Sequence, residues 1–335
     1  MEIGGVSVRK YIIKRILISI VILFFVTFII YALMRCLPTS YIENMARQKS
    51  MQPGSKSFDE WMEQLTAMYN MDKGIFYGFF AWLGQMLRGE FGDSWFYTVP
   101  VIQKFHSSIW VSFVMGLVAM ILELIIAIPL GVIAATKQYS RTDYTISVLA
   151  LAGISLPTFF FASLLKLVFS VKLQWFDLFG LTGRNYEQLS AMGQFLDKAH
   201  HLVLPIITLV VISVGSLMRY TRTNMLEVLN ADYIRTARAK GLDERKVIYH
   251  HAFRNTLIPL VTIVGGSLPG LFSGALITET LYSIPGIGYV SYQAMVGGDI
   301  PFSMFYLTFL AILTLAGNLI ADILYAVVDP RVRIS

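Results

Sequence analysis

The stretch DYIRTARAKGLDERKVIYHHAFRNTLIP, residues 232–259, decides how this chain is organised. It is basic, polar and rich in helix-forming residues, and it lies between two apolar segments that are each long enough to cross a bilayer. Connections between membrane spans are normally short. A structured insert of this kind therefore indicates a surface to which a soluble partner docks.

Apolar segments recur along the whole chain. Of its 335 residues, 56% are hydrophobic and only 14% are charged, which is too apolar and too poor in charge for an ordinary soluble domain. A helix needs about 20 mostly apolar residues to cross the hydrocarbon core. Six stretches meet this requirement: 11–33, 109–135, 146–171, 202–218, 257–277 and 302–328. They predict an all-α integral membrane protein in which residues 1–335 form one polytopic domain of six transmembrane helices.

Basic residues predict the orientation of these spans. Four of them precede or open the first span: Arg9, Lys10, Lys14 and Arg15. Because positively charged flanks stay in the cytoplasm, we expect both termini on the cytoplasmic side, a large outer loop over 35–108 and a cytoplasmic loop over 219–256. The net charge of +6 then reflects topology, and it gives no reason to expect a nucleic acid as partner.

The cytoplasmic insert divides into two predicted helices. Asp232 is expected to cap the first, since a carboxylate there accepts hydrogen bonds from unpaired backbone N–H groups. Gly241 is expected to end it, because glycine tolerates the positive φ of a helix C-terminus. Asp243 then begins a second helix that continues through Arg254, and Asn255 leads into the fifth span.

The first of these helices has a short surface that a groove on another protein would accept. This surface is formed by two alanines, one isoleucine and one tyrosine: Tyr233, Ile234, Ala237 and Ala239. A basic loop beside anionic lipid explains the same segment equally well. The spacing of the residues leaves both interpretations open.

Two motifs in the insert resemble a known family. DYIRTARAKG at 232–241, followed by HAFRNTLIP at 251–259, resembles the coupling loop of binding-protein-dependent ABC importer permeases. The resemblance is strongest to the first, B-type, permease subunit of the oligopeptide/dipeptide/nickel branch.

The chain departs from the wider superfamily at three positions in this loop. Arg235 and Thr236 replace the Glu and the first Ala of the general pattern, whereas Ala237 and Gly241 match it. Pro259 lies later than in the general pattern, a spacing that the peptide branch shares. These differences argue against a sugar or amino-acid permease.

The resemblance covers nearly the whole chain. Further elements occur in the family's order: RGEFGDS (88–94), IPLGVIAA (128–135), SLP (155–157), ETLYSIPGIG (279–288) and DPRVR (329–333). The family implies the type I ABC importer permease fold, in the cytoplasmic (inner) membrane of a prokaryote. It also implies that two homologous permease chains enclose the path, that two cytoplasmic ABC ATPases dock on the coupling loops, and that an extracytoplasmic solute-binding protein delivers the cargo.

The resemblance assigns roles to particular residues of the loop. Those implied in ATPase coupling are Asp232, Tyr233, Arg235, Thr236, Ala237, Ala239, Gly241, Arg254, Asn255 and Pro259. The chain has no GxxxxGK[ST] phosphate loop. It is therefore expected to be a transport subunit and not an enzyme, to bind no cofactor itself, and to leave ATP and magnesium to the ATPases.

Polar residues inside the spans need partners, because an ionised carboxylate at the bilayer centre costs roughly 2.5–3.5 kcal/mol. Glu123, Asn318 and Asp322 are candidates for the translocation path or for polar contacts between helices. The sequence leaves both roles open for Glu123 and favours a structural contact for Asp322.

Small residues and prolines predict how the spans pack and bend. Gly266, Gly270 and Gly274 recur every four residues, which predicts one face of the fifth span where another backbone approaches closely. Three prolines are expected to kink spans, and they are Pro129, Pro157 and Pro269.

Two histidine pairs raise the question of a metal site. For His200-His201 and His250-His251, no carboxylate or cysteine completes a set at ligand spacing in the sequence, so no metal site is predicted and both pairs are expected at solvated span ends.

Two other kinds of transporter remain open at this stage. Nickel or another small solute is the alternative cargo within the same branch. An ion-coupled secondary transporter is the alternative mechanism, supported only by Glu123 and Asp322. A membrane protease lacks the motifs it would need.

Overall fold

A computed structural model describes residues 2–3, 6–36, 41–68 and 72–328, with side chains for 13–36, 42–67, 72–257 and 259–320. The described chain is almost entirely helical, as predicted. Its only strands within those ranges are β1 (Glu2–Ile3) and β2 (Val6–Ser7), which pair antiparallel with Glu2 opposite Ser7. The DPRVR element at 329–333 lies outside the described residues.

The α-helices follow in this order: α1 (Val8–Cys36), α2 (Tyr41–Ser50), α3 (Phe58–Met68), α4 (Ile75–Leu87), α5 (Val101–Thr136), α6 (Arg141–Ser155), α7 (Thr158–Leu165), α8 (Ala191–Leu229), α9 (Asp232–Ala239), α10 (Glu244–Lys246), α11 (Arg254–Ser267), α12 (Leu276–Tyr282), α13 (Ile287–Val296) and α14 (Ile300–Val328). Two π-helical segments, Lys166–Lys172 and Val247–Phe253, and two 3-10 segments, Tyr186–Gln188 and Leu268–Phe272, connect some of them.

Four of the described helices are long and apolar enough to cross a membrane as single rods: α1, α5, α8 and α14. Two bent pairs of helical segments raise the number to six if each pair counts as one span. The six predicted segments therefore correspond to four uninterrupted helices and two broken ones.

The third predicted span, 146–171, is not one helix, and this part of the prediction is wrong. α6 and α7 meet at an angle of 100°. Proline has no N–H for the helical ladder and pushes the preceding residue towards extended backbone. Leu156 has φ −78° and ψ 123° just before Pro157, so the predicted kink at Pro157 is a full break.

The other predicted kinks differ in outcome. Pro129 lies inside α5 without ending it, and Pro269 lies in the 3-10 segment after α11. The fifth span bends by 43° at the start of the stretch Pro259–Phe272. The fourth predicted span, 202–218, is the middle of α8, whose 39 residues rise about 58 Å and therefore extend well beyond the hydrocarbon core.

The chain forms two compact units. Of the described residues, the first comprises those within 2–109 and 290–319. In it, α1 and α4 pack through an aromatic cluster around the fully buried Phe79. Asp299, also fully buried, accepts hydrogen bonds from the Ser94 hydroxyl and from the Phe302 N–H at 3.1 Å, which attaches the RGEFGDS element to the start of α14.

The second unit comprises residues 110–289 and 320–328 and contains α6–α12 with most of α5. One buried cluster in this unit contains Ala127, Ala150 and Leu217. A second cluster, which we call the platform, gathers Val132 and Ala135 of α5, Met225 of α8, Ile234 and Ala237 of α9, and Val247 and Ala252 of the second π segment. The platform packs the insert at 232–259 against α5 and α8.

Candidate functional site

The short helix α9 is the centre of the candidate site. Ile234 is 0% and Ala237 7% exposed, and both are part of the platform. Three residues apart, they lie on the same side of the helix. An isolated helix of eight residues is not stable in water. The packing of this side against α5, α8 and the π segment is therefore what keeps α9 folded.

The opposite side of α9 is open to solvent. Tyr233 is 49% exposed, and Arg235, Thr236 and Ala239 are exposed as well. The surface predicted for a partner's groove therefore contains Tyr233 and Ala239 but not Ile234 or Ala237. That part of the prediction is wrong because the platform supplies apolar surface to cover those two side chains.

Asp232 does not cap α9. Ala231 occupies the N-cap position without a side-chain hydrogen bond, and Asp232 is the first residue of the helix. Its carboxylate is 97% exposed and lies 3.5 Å from the Arg235 guanidinium. A carboxylate in the first turn still interacts favourably with the positive end of the helix dipole. The helix thus starts one residue earlier than predicted, and the predicted capping by Asp232 is wrong.

Gly241 ends α9 as predicted. Its φ is +74°, a conformation that glycine adopts without a Cβ clash. The Gly241 N–H donates to the Arg238 carbonyl at 2.9 Å, and the Leu242 N–H donates to the Ala237 carbonyl at 3.4 Å. These two bonds form a Schellman motif, and Leu242 packs on the platform beside it.

An ion pair connects α9 to the helix that follows. The Arg238 guanidinium donates to the Glu244 carboxylate at 2.8 Å and holds the pKa of Glu244 below its usual value. Asp243 caps α10 as predicted, its carboxylate accepting from the Arg245 N–H at 3.1 Å. The turn at Gly241 is therefore bounded by a side-chain bridge and a helix cap.

The remaining residues assigned to coupling lie on α11. Arg254 and Asn255 are exposed, and the Asn255 amide donates to the His251 carbonyl at 2.7 Å. Pro259 is half-buried within α11, at the bend in the fifth span. They lie on the helix that joins the insert to the membrane and not on α9 itself.

Comparison with known proteins agrees with this arrangement. Residues 127–334 match the family described as "Binding-protein-dependent transport system inner membrane component". The oligopeptide transport system permease protein AppB of Bacillus subtilis (strain 168) is 38% identical over 96% of this chain and 99% of its own length. This chain belongs to that permease family. The dipeptide transport system permease protein DppB of Escherichia coli (strain K12) is 33% identical over 97% of this chain and 98% of its own. The oligopeptide transport system permease protein OppB of Salmonella typhimurium (strain LT2) is 33% identical over 97% and 99%.

A buried ion pair of the permease was not singled out from the sequence. Both oxygens of Asp143 accept from the Arg222 guanidinium, at 2.7 and 2.8 Å, and the Asp143 side chain is only 4% exposed. Arg222 holds the pKa of Asp143 below its usual value. Ser140, the N-cap of α6, accepts from the Asp143 N–H. The Ser-x-x-Asp spacing indicated the start of α6 in the sequence but not the ion pair with Arg222.

A buried carboxylate organises the ETLYSIPGIG element of the permease. Glu279 is 0% exposed and accepts from the Ser112 hydroxyl at 2.6 Å and from the N–H groups of Ala275 and Tyr289, each at 2.9 Å. A Cβ at Gly286 would lie 2.5 Å from the Glu279 carboxyl, so only glycine fits there. The motif is thus a turn folded around one carboxylate.

Glu123 borders a cavity of about 260 Å³ in the second unit. Ser213 of α8 lines the same cavity, together with Ser112, Ser267 and Gly270. Both roles predicted for Glu123, a polar contact between helices and a place in the translocation path, therefore stay predictions. Asn318 is exposed, and the Asp322 side chain lies outside the described residues.

The three glycines predicted to form one helix face do not do so. α11 ends at Ser267, so only Gly266 belongs to it, while Gly270 lies in the 3-10 segment and Gly274 beyond that. Gly274 does allow a close backbone approach. Its φ is +80°, and a Cβ there would lie 2.4 Å from the Gly288 nitrogen.

Within the His200-His201 pair, His200 is exposed as predicted, but His201 is buried, contrary to the prediction. His201 is 8% exposed, and its Nε2 lies 3.3 Å from the Asp177 carboxylate. The structure thus brings a carboxylate to the His200-His201 pair from 23 residues away in the sequence. His250 is exposed, as predicted.

Proposed function

We propose that this permease forms half of the translocation path of an ATP-driven peptide importer. The chain is the B-type subunit, and a second, homologous permease subunit supplies the other half. The names of its relatives support peptides as the cargo, since three of them, at 33–38% identity over nearly the full length, are oligopeptide or dipeptide permeases. An extracytoplasmic solute-binding protein delivers the peptide.

Helix α9 is the docking site for a cytoplasmic ABC ATPase. The single observation that carries this assignment is its two-sided character: Ile234 and Ala237 are buried in the platform, while Tyr233 is 49% exposed on the outside of the helix. A helix that only lies beside lipid would not need the buried side. A helix that transmits force needs one side for its own bundle and one for its partner.

The platform supports a mechanical mechanism. When ATP closes the two ATPases, α9 moves with the surface that holds it, and its packing carries that movement to α5 and α8. Packed interfaces have discrete arrangements and do not deform continuously, so the movement switches the bundle between two states. ATP and magnesium bind to the ATPases, because this chain has no phosphate loop.

The orientation follows the distribution of basic residues. α9 and both termini face the cytoplasm, and the helices α2–α4 between the first two spans face outward. The bilayer is the inner membrane of a prokaryote. The ATPases and the solute-binding protein therefore act on opposite sides of this chain.

Photo-crosslinking from a tyrosine position tests the docking site. The photoreactive residue p-benzoylphenylalanine replaces Tyr233, and in the matched control it replaces Tyr77 of α4, which is 59% exposed. In the assembled transporter we expect an ATPase adduct from position 233 and none from position 77. Absence of the adduct at 233 in a transporter that still hydrolyses ATP would refute the assignment.

Uptake by reconstituted vesicles tests the cargo. The assembled transporter with its binding protein should accumulate radiolabelled peptides when ATP is supplied, and it should not accumulate nickel. Uptake driven by an ion gradient without the ATPases would instead support the secondary-transport mechanism.

A further inference from the structure

The cluster of Asp177, His200 and His201 lies apart from the coupling site. Asp177 belongs to the loop that follows the first π segment, and both histidines lie near the N-terminal end of α8. One ligand atom from each of the three side chains lies within 4.8 Å of the others. We propose that this His–Asp cluster binds a divalent transition-metal ion, of which Zn²⁺ is the representative.

Hydrogen bonds to backbone carbonyls orient both rings. His201 Nδ1 lies 2.8 Å from the Asp197 carbonyl oxygen, and His200 Nε2 lies 3.1 Å from the Trp175 carbonyl oxygen. A carbonyl oxygen only accepts, so each of these nitrogens carries its hydrogen. When each ring is neutral, its other nitrogen, Nε2 of His201 or Nδ1 of His200, has a lone pair that can bind a metal ion. Metal-binding histidines are typically held in this way.

The two lone pairs face the same carboxylate. His201 Nε2 is 3.3 Å and His200 Nδ1 is 3.9 Å from Asp177 Oδ2. Three acceptor atoms that converge in this way require a positive charge among them. Two ligands of one tetrahedral zinc ion are roughly 3.4 Å apart, given bonds of about 2.0–2.2 Å. The 3.3 Å between His201 Nε2 and Asp177 Oδ2 already fits this spacing. A small rotation of the exposed His200 ring would shorten the 3.9 Å between its Nδ1 and the same oxygen.

The donor set selects the class of metal. Imidazole nitrogens with one carboxylate suit Zn²⁺ and its neighbours, whereas Mg²⁺ and Ca²⁺ prefer oxygen ligands alone. Three protein ligands leave one tetrahedral position for water. The Asp177 and His200 side chains are 56% and 46% exposed, so the ion has a route from solution, while His201, at 2%, anchors the site.

The metal would tie the loop that carries Asp177 to α8. Beyond Asp177, the Gly180 N–H donates to the Tyr282 carbonyl at 2.9 Å at the end of α12, and the Gly183 N–H donates to the Asp197 carboxylate at 2.8 Å. Closing the contact between Asp177 and α8 would add a third attachment. The ion would therefore stiffen the segment between α7 and α8 without belonging to the ATPase docking face.

Zinc titration of the assembled transporter tests this inference. The full-length chain, purified with its partners through a tag without histidine and reconstituted in nanodiscs, is titrated with Zn²⁺ in competition with a fluorescent chelator. Asp177→Asn and His200→Gln remove one ligand each. Loss of an orienting partner alone weakens metal binding about 10–100-fold, so loss of a ligand should weaken this site at least about tenfold. His250→Gln, in the pair without a described carboxylate neighbour, is the matched control and should bind like wild type.

Comparison of variants in one assembly cancels any zinc held by the partners. We expect wild type and His250→Gln to bind one more zinc ion per permease chain than Asp177→Asn does, and zinc to raise the Tm of the first two only. Equal zinc binding by wild type and Asp177→Asn would overturn the proposal and assign the cluster to a proton shared between His201 and Asp177. The titration does not depend on transport, so its outcome is separate from that of the peptide assignment.

Discussion

Replacing Ile234 by alanine tests whether α9 transmits force through its buried side. Ile234 is 0% exposed in the platform, where it packs with side chains such as Met225 and Val247. Truncation of a fully buried isoleucine to alanine costs about 2–5 kcal/mol. Because an eight-residue helix does not persist alone, most of this loss should appear as local opening of α9.

The magnitude can be read by hydrogen exchange. Every 1.4 kcal/mol changes an equilibrium about tenfold, so a loss of 2 kcal/mol raises the open population of α9 by about 30-fold. We expect the backbone amides of α9 to exchange faster by at least this factor. Amides of α6, whose Ala150 belongs to a different buried cluster, should exchange as in wild type and serve as an internal reference.

Transport assays distinguish the packing of α9 on the platform from the binding of the ATPase to its exposed side. In Ile234→Ala the exposed side of α9 is unchanged, so ATPase should still bind, but more ATP should be hydrolysed per peptide transported. Tyr233→Ala is the matched control on the exposed side. It should leave the exchange rates unchanged and weaken ATPase binding instead. Normal exchange and normal coupling in Ile234→Ala would refute the reasoning that the platform makes α9 a rigid lever.

Three further predictions concern Gly241, Asp143 and Cys36. Gly241→Ala should destabilise the end of α9 by about 1–2 kcal/mol, because φ is +74° there. Gly241→Asn should destabilise it less. Equal losses of stability in the two variants, measured by thermal unfolding, would contradict the strain argument. Asp143→Asn should cost about 1.5–3 kcal/mol, since it weakens charged hydrogen bonds to Arg222. Because Arg222 lowers the pKa of Asp143, the ion pair should contribute its full stability above about pH 4 and lose it only as the pH falls further. Loss of this stability near pH 6 would contradict its assignment to Asp143. Cys36, the chain's single cysteine, is exposed at the end of α1. It should react with a membrane-impermeant maleimide in intact spheroplasts. Labelling only after lysis would show that the orientation is opposite to the proposed one.

Some features were predictable because their causes are local. A helix needs a fixed length of apolar residues to cross a bilayer, so hydropathy located the spans. Gly241 ends α9 and Asp243 caps α10 because those preferences depend on one or two residues. The motifs also identified the family, which the full-length similarity to peptide permeases supports.

Other features depend on residues that are distant in the sequence. Asp143 and Arg222 are 79 positions apart, and nothing near either residue names the other. Asp177 reaches the His200-His201 pair only because the chain turns back after α7. Glu279 appeared in the sequence as part of a motif, but its role as the centre of a turn required the positions of Ser112 and Tyr289.

The sequence by itself determined that this protein is a helical membrane permease and, to within one residue, where α9 begins and ends. Only the tertiary structure decided which side of that helix is free. Eight residues make about two turns, which is too short for a periodic pattern to distinguish a buried side from an exposed one. Ile234 and Ala237 are covered because Val132, on a helix about 100 positions earlier, helps to supply the apolar surface that excludes water from them.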